Sequence, residues 1–533
     1  MGKAHQAMVG GIIDMRISHI TKPFISIVNA DQSPSYLGLF LAGILMGLWP
    51  AWPLAWIALV PLWWVIHQGA GLRQSGLSAL VWGIGYHGTM LMWVLHLHPL
   101  TWLGVPWLGS IAIALFAYLF VNLWGAGIAI TWAIGMAALQ RLVCLGPLGR
   151  VVVGTALWCG VEALWSISPL YWTSLAITQS PSNLVIVHLA QLSGHLTITA
   201  AIVAVNGLLG LVRYDSRRWL MAGVGMFAIA HLLGWSLYQQ PLNDRPNQAL
   251  KIGIIQGNIP SREKLTYRGI RRSEDVYRNS YRKLAAAGAD AVLTPEGAIP
   301  KLWKQETSLF SDIVQQVGIP LWLGTFTPAQ KTHIHQSLVE IMPNGISQYN
   351  KIKLVPLGEY IPLQSVLGDL ISRLSPVSTD MLPGEARQQF KTAFGKAAVG
   401  ICYDSAYGWI FQQQVAQGGE FILTASNNDP YPARMMRQHH GQDVIQAVST
   451  DRWAVRSTNT GVSAVVNPHG ETQWMSAPIT FDTAIETIYR RSTQTLYVRW
   501  GNWLVPLLMV VSAGWVWQVR SQQVSNSPGG SVQ

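Results

Sequence analysis

Hydrophobic positions along this chain change their pattern once, near residue 241. Up to residue 238 they come as long runs, near 36–50, 52–67, 76–97, 107–138, 151–168, 184–211 and 218–238. Most approach the roughly 20 residues that carry a helix across a bilayer core. The first two are short and joined only at Trp49-Pro-Ala-Trp52, so they are two tight spans or one re-entrant hairpin. From Pro241-Leu-Asn-Asp-Arg-Pro246 onward, charges and polar turns appear and the apolar runs shorten. Leu250–Gln256, Ala291–Thr294, Pro320–Thr325, Ser337–Met342, Gln348–Asn350, Ala397–Ile401, Phe421–Ala425 and Gly461–Asn467 read as strands. Pro343-Asn-Gly345 reads as a hairpin turn, and Ser273–Ala287 and Gln438–Val455 as helices. Apolar strands separated by helices predict a layered α/β domain. A last apolar run, Trp503–Val519, precedes a Ser-, Gly- and Gln-rich stretch, 523–533, that predicts disorder.

Composition agrees with a membrane protein. Of 533 residues, 50% are hydrophobic and 11% charged, with a mean hydropathy of +0.27. Soluble domains carry about 25% charged residues. The net charge of +11 raises nucleic acid as a partner, but the basic residues are not clustered as a binding groove needs. They act instead as topology signals. With the N-terminus inside and eight spans, the inside loops 68–75, 139–150 and 212–217 hold Arg73, Arg141, Arg150, Arg213 and Arg217. Arg218 lies at the edge of the next span, and Arg520 follows the last one. The outside loops 98–106 and 169–183 hold no Lys or Arg. This places residues 239–500 outside the cytoplasm. No cleavage-site pattern follows Lys3, Arg16 and Lys22, so the first span is expected to be retained. Three cysteines make no disulfide framework. The expected division is a cytoplasmic segment 1–35, a membrane domain 36–238 with about seven spans, a catalytic domain 245–495, a last span 501–519 and a cytoplasmic tail 520–533.

Inside the membrane half, Glu162 is an acid within an apolar run, either functional or hydrogen-bonded to a neighbouring helix. His87, His96 and His98 form no convincing metal-ligand set. Trp49, Trp52, Trp102, Trp107, Trp165 and Trp172 suit an aromatic belt at the outer surface, although Tyr171 and Trp172 could instead touch a lipid substrate.

Chemistry concentrates at three strand ends in the second half: Thr294-Pro-Glu296, Tyr349-Asn-Lys351 and Gly400-Ile-Cys402-Tyr-Asp404. Sites in layered α/β domains form where strands end. Cys402 follows a buried strand, whereas Cys144 and Cys159 lie in or beside apolar runs and read as small hydrophobes. A thiol needs a base to become a nucleophile, and Glu296 can serve if partial burial raises its proton affinity. Lys351 can favour the thiolate and later an oxyanion, with Lys353 as a competitor for that role. The backbone amides after Cys402, Tyr403 included, are further oxyanion donors.

The order Glu, Lys, Cys in the contexts Pro-Glu, Tyr-Asn-Lys and Cys-Tyr-Asp resembles the nitrilase (carbon–nitrogen hydrolase) superfamily. Together with the membrane half and the closing span, the whole chain resembles the apolipoprotein N-acyltransferase family. Supporting stretches are Gln256-Gly-Asn-Ile-Pro260, Pro295-Glu-Gly-Ala-Ile-Pro300, Tyr349-Asn-Lys-Ile-Lys-Leu-Val-Pro-Leu-Gly-Glu-Tyr-Ile-Pro362, Ser426-Asn427, Arg456-Ser-Thr-Asn-Thr-Gly461 and Gly501-Asn-Trp503. The resemblance implies a polytopic α-helical membrane domain of about eight transmembrane helices plus an extracytoplasmic nitrilase-like α-β-β-α sandwich. It implies Glu296 as general base, Lys351 as oxyanion-stabilising cation and Cys402 as nucleophile, with Glu359, Tyr403, Asp404 and Asn427 in support. It also implies a phospholipid acyl donor, a diacylglyceryl-apolipoprotein acceptor, no cofactor, a monomer, and a bacterial inner membrane with the site on the periplasmic side. Three positions depart from the family pattern: Asp404 stands where Glu is frequent, Ser426-Asn-Asn-Asp-Pro-Tyr-Pro432 replaces Ser-Asn-Asp-Ala-Trp-Phe-Gly, and an aromatic is missing near Leu265. The last two fall in loops expected to touch substrate. The rival reading is a membrane-tethered amidase acting on a soluble substrate with the same triad.

Overall fold

The computed structural model describes residues 35–304, 309–330, 333–342, 345–356, 358–360 and 381–525. The N-terminal segment 1–34, the tip of the predicted hairpin at Pro343-Asn344, the Ile361-Pro362 end of the Lys351 stretch and most of the predicted tail lie outside the described residues.

The membrane half is a helical bundle: α1 (Tyr36–Gly47), α2 (Val60–His67), α3 (Leu72–Leu91), α4 (Trp107–Leu142), α5 (Pro147–Trp165), α6 (His195–Gly210) and α7 (Ser216–Tyr238). Among the described residues, α4, α5, α6 with its 3-10 extension to Arg213, α7 and a C-terminal helix, Leu504–Ser525, are long and apolar enough to cross a bilayer. Of the other predicted spans, 76–97 becomes the 20-residue α3, less apolar and continued by a 3-10 turn, Met92–Leu97, and the first two are shorter. The run at 36–50 yields only the 12-residue α1, with Ser35 capping its first turn through Gly38 N–H. The run at 52–67 starts as a 3-10 turn, Trp52–Trp56, before α2. The run at 184–211 breaks at Gly194, whose φ is +70° and where a Cβ would lie 2.6 Å from Asn502 Oδ1. The C-terminal segment docks there, so no side chain fits.

Glycines set the contact between α1 and α3. A Cβ on Gly43 would sit 2.1 Å from the Trp82 carbonyl oxygen, and one on Gly85 2.4 Å from that of Phe40. Helices α1 and α3 therefore touch backbone to backbone, as small residues allow where lipid supplies no hydrophobic drive.

The second half is a sandwich of two sheets between helical layers. The first sheet contains β1 (Ala249–Gln256), β2 (Ala291–Leu293), β3 (Ile299–Leu302), β4 (Leu321–Pro328), β5 (Ile334–Met342), β6 (Gly345–Asn350) and β13 (Asp482–Tyr489), in the order β13-β1-β2-β4-β5-β6 with β3 on β4. The second holds β7 (Phe390–Thr392), β8 (Gly395–Ile401), β9 (Gly419–Ser426), β10 (Ala454–Thr458), β11 (Ala464–Val466) and β12 (Thr472–Met475) in sequential order. Period-two alternation faces the sheets together: Leu250, Ile252 and Ile254 of β1 meet Ala397, Val399 and Ile401 of β8 in one buried cluster. Helix α8 (Tyr267–Ala286) covers the first sheet with Ser273, Tyr277, Ser280, Tyr281 and Leu284, a helical stripe. With it lies α9 (Leu309–Val317). Helices α10 (Gly408–Ala416) and α11 (Ala433–Thr450) cover the second sheet and share a core with Leu91, Val94, Tyr171 and Trp172 of the membrane half. The helix predicted over 438–455 runs instead over Ala433–Thr450, because Asp451 takes φ +54° and ends α11, freeing β10 to pair with β9.

The membrane half presents the loop Ser166–Ser174 to the second. Tyr407 donates to Ser168 O (3.0 Å), Lys353 Nζ to Ile167 O (3.0 Å) and Gln442 to Trp172 O (3.1 Å). Trp172 is 8% exposed and belongs to this interface, which corrects its expected place in the aromatic belt; Trp102 and Trp107 are 44% and 58% exposed. Gly43→Ala is expected to separate α1 from α3 and cost about 1–3 kcal/mol. A lowered melting temperature of the detergent-purified protein checks this; an unchanged one would refute the backbone contact.

Candidate active site

Four strand ends, two from each sheet, converge on one point. Strand β2 ends at Leu293, and Thr294 Oγ1 accepts from Gly324 N–H (2.9 Å), tying the turn to β4. Gly324 must be glycine, because a Cβ there would meet Pro295 O at 1.9 Å. This close approach leaves Glu296 at the strand end, 7% exposed. Strand β6 delivers Lys351, whose N–H donates to Gln336 O (2.8 Å). Its fully buried Nζ donates to Glu296 Oε1 (2.8 Å) and Glu359 Oε1 (2.6 Å). From the second sheet, β9 brings Asn427, whose N–H donates to Glu296 Oε2 (2.9 Å). Strand β8 brings Cys402, with Sγ 3.9 Å from Asn427 O.

Cys402 has φ +50°, a left-handed conformation that costs a non-glycine residue of order 1–3 kcal/mol. Its surroundings hold it there. Asp404, fully buried, accepts from Ile401 N–H (3.0 Å), Lys353 N–H (2.7 Å) and the Tyr349 hydroxyl (3.3 Å). The shorter carboxylate thus spans from the nucleophile turn to the lysine loop. His439 on α11 adds a second brace. Its Nδ1 lies 2.9 Å from Asn428 Nδ2, which can only donate, so Nε2 carries the hydrogen and donates to Cys402 O (2.8 Å). Burial holds the imidazole down at about 3, keeping it neutral.

Electrostatics follow from the same contacts. Burial pushes the Cys402 thiol well up, the Glu296 charge adds to this, and Lys351 opposes it. Burial pulls the Lys351 ammonium down, but Glu296 and Glu359 outweigh that and hold it protonated far above the usual lysine range. Burial raises Glu359, with Lys351 working against it. Asp404 is pushed up to about 6 by burial, with the Ile401 and Lys353 amides pulling the other way. Cys402 therefore rests as a thiol beside a carboxylate and a cation, an arrangement suited to attack with concerted proton removal.

The residues predicted from strand ends, Glu296, Lys351 and Cys402, come together, as do Glu359, Asp404 and Asn427. Tyr403 points to the membrane half, its hydroxyl donating to Pro169 O (3.1 Å). The Lys353 ammonium lies over the Tyr407 ring at 4.4 Å, away from the cluster, and only its backbone N–H reaches Asp404. Sequence reasoning passed over three neighbours. His439 sits in a Gln-His-His run on a fully buried helix turn. Lys264, 4% exposed, donates to Glu296 O (3.4 Å) and is pulled down by burial to about 8. Asn459, inside the Ser-Thr-Asn-Thr stretch, donates to Asn427 Oδ1 (3.2 Å) and Ile259 O (2.6 Å). In sequence each lies among polar or charged neighbours, Ser261-Arg-Glu-Lys264, Arg437-Gln-His-His440 and Ser457-Thr-Asn-Thr460, and only the last stretch carried a signal.

A two-sheet domain with a Glu-Lys-Cys cluster at its strand ends, docked on a bundle of apolar helices, defines a membrane-bound protein of the carbon–nitrogen hydrolase class. Residues 251–496 match the carbon–nitrogen hydrolase family, and residues 38–208 match the apolipoprotein N-acyltransferase N-terminal domain. An apolipoprotein N-acyltransferase from Nostoc sp. is 44% identical over 486 residues, covering 89% of this chain and 96% of that protein. One from Thermosynechococcus vestitus is 44% identical, covering 89% and 93%, and one from Synechocystis sp. is 41% identical, covering 87% and 96%. The chain belongs to the apolipoprotein N-acyltransferase family.

Two measurements check the electrostatics. Alkylation of Cys402 by iodoacetamide should accelerate about tenfold per pH unit from 7 to 9; a plateau below pH 8 would mean a preformed thiolate. Between pH about 4 and 6 the folded chain keeps an Asp404 proton that the unfolded chain has lost. That group's contribution to stability is complete below about 4 and is lost as pH rises, by about 3 kcal/mol in total. In Asp404→Asn this part of the slope of melting temperature against pH should vanish, and an unchanged slope would contradict it.

Proposed function

We propose that this chain completes lipoprotein maturation by a two-step acyl transfer through Cys402. Its thiol attacks the sn-1 ester carbonyl of a membrane phospholipid while Glu296 takes the thiol proton. The Lys351 ammonium and the Tyr403 amide hold the oxyanion. Collapse expels a lysophospholipid, whose alkoxide takes the proton from Glu296, and leaves a Cys402 thioester. The α-amine of an S-diacylglyceryl-cysteine at the start of an apolipoprotein then attacks this thioester. Glu296 again moves the proton, and an amide forms as the thiol is restored. Asp404 and Asn427 hold the nucleophile turn and the base, and Glu359 orients the lysine. The carrying observation is the buried bridge from Lys351 to Glu296 beside Cys402.

The membrane half supports a lipid donor. Two lipid-anchored substrates confined to one surface reach a high effective concentration at a site docked on apolar helices, and such a site also shields the thioester from water. The proposed topology has eight passes, short ones included. Gly47 O at one end of α1 accepts from Arg434 of the catalytic domain (2.9 Å). His67 O at the far end of α2 accepts from Arg150 (2.7 Å). The first two passes therefore run to the catalytic side and back. Arg73, Arg141, Arg150, Arg213 and Arg217 lie at the helix ends of the opposite side, which supports a cytoplasmic face there and a periplasmic catalytic domain in a bacterial inner membrane. The proposed domain bounds are 36–238, 245–495 and 501–519, with cytoplasmic ends and a monomeric chain.

Incubation with phospholipid should raise the intact mass by one acyl chain, with loss of the adduct to hydroxylamine and none in Cys402→Ala. A diacylglyceryl-cysteine peptide should discharge it. Glu296→Gln should slow adduct formation by about 10²–10⁴. If small amides are hydrolysed while no phospholipid acylates the protein, a tethered amidase replaces this reading.

A further inference from the structure

Glu162 lies in α5, inside the bundle, 1% exposed. A carboxyl group there is costly unless donors surround it. Four do. Oε1 accepts from Ser174 Oγ (2.6 Å), Tyr171 hydroxyl (3.0 Å) and Thr199 Oγ1 (3.2 Å), and Oε2 accepts from Trp158 Nε1 (3.1 Å). Two of these donors, Tyr171 and Ser174, belong to the loop on which the catalytic domain stands. The acid therefore gathers that loop onto the bundle.

The same loop reaches the nucleophile. Tyr171 N–H donates to the Tyr403 hydroxyl (2.8 Å), and that hydroxyl donates to Pro169 O (3.1 Å). Tyr403 directly follows Cys402, so its ring and main chain share the strained turn at φ +50°. A strained conformation persists only where its surroundings over-determine it. Among the described residues, Tyr171 is the one that binds Glu162 with its side chain and Tyr403 with its backbone; its hydroxyl also lies 3.0 Å from His195 Nε2.

We propose that Glu162 is a positioning residue for the acyl transfer: through Tyr171 it holds Tyr403, and with it the amide after Cys402 where the oxyanion forms. This rests on the proposed thioester chemistry. Glu162 touches neither substrate nor thiol in this role. Its loss loosens the turn and lets the amide drift from the oxyanion position. A misplacement of about 1 Å costs up to about 100-fold in rate and little in ground-state binding.

The test uses the full chain in detergent with a synthetic phosphatidylethanolamine, following Cys402 acylation by intact mass across donor concentrations. The variants are Tyr171→Phe, which removes one hydroxyl, Glu162→Gln, which keeps shape and replaces one acceptor oxygen by a donor amide, and the double variant. Each single variant should lower the maximal acylation rate about 10- to 100-fold, with half-saturating donor within about twofold of wild type. The double variant should be no slower than the slower single one, because both cut the same connection. A merely structural role would lower the melting temperature and leave the rate per folded molecule unchanged, which overturns the proposal. So does a change confined to half-saturation, or effects that multiply in the double variant. If Glu162→Gln fails to fold, Tyr171→Phe decides the matter beside His195→Phe, which removes the other partner of that hydroxyl: a loss of rate in Tyr171→Phe alone supports the proposal, and an equal loss in both overturns it. Wild-type protein that forms no acyl adduct would sink the thioester reading itself; wild type that acylates beside equally fast variants sinks only the role of Glu162.

Discussion

An ammonium taken out of water costs several kcal/mol unless carboxylates and hydrogen bonds replace its hydration. Lys351 is fully buried, with Glu296 at 2.8 Å and Glu359 at 2.6 Å. Neither carboxylate would be tolerable there without the lysine, and the lysine would not be tolerable without them. This mutual dependence ties the end of β2 to the end of β6. The remaining oxygen of Glu296 takes the amide of Asn427 from the other sheet. One ionic cluster thus fixes the separation of the two sheets at the point where chemistry is proposed, and an apolar sheet interface alone would leave that separation less exact.

Around this cluster the protein spends order on a strained thiol. The left-handed backbone at Cys402 is held by Asp404 from within the turn and by the neutral His439 from α11. Both braces act on main-chain atoms rather than on the sulfur, which leaves the thiol free to react. The departure from Glu to Asp at position 404 is absorbed in this way. The shorter side chain still reaches amides of Ile401 and Lys353, so the nucleophile turn and the lysine loop move as one piece.

The membrane half contributes more than an anchor. Its Ser166–Ser174 loop gives backbone groups to the catalytic domain, and Trp93 meets Tyr431 ring to ring at 4.8 Å. Tyr431 belongs to the Asn428-Asp-Pro-Tyr-Pro432 stretch that departs from the family pattern. The departure therefore falls where the loop after β9 meets the bundle. A seam of direct hydrogen bonds and ring contacts between the halves suits the proposed reaction, whose two substrates would arrive by way of the bilayer.

Much of this was legible in the chain. Run length and charge scarcity marked the bundle, and strand periodicity marked both sheets, because hydrophobic burial is written locally with periods of 3.6 and 2. Strand ends carrying Glu296, Lys351 and Cys402 identified the cluster. The breaks escaped it: Gly194 opens the predicted 184–211 run because Asn502 and Tyr497 dock there, some 300 positions away in sequence. His439, Lys264 and Asn459 escaped for the same reason, since each acts by reaching a backbone group on another element. The Tyr-Asn-Lys context already favoured Lys351 over Lys353, and the structure sends the two, two residues apart on one loop, to different neighbours. The sequence by itself determined a membrane bundle, a layered α/β domain and the three strand ends that carry Glu296, Lys351 and Cys402, because local pattern and side-chain chemistry suffice for those. Only the tertiary structure decided how Lys351 is buried, what braces the thiol and where the halves meet, because those depend on contacts between residues distant in the chain.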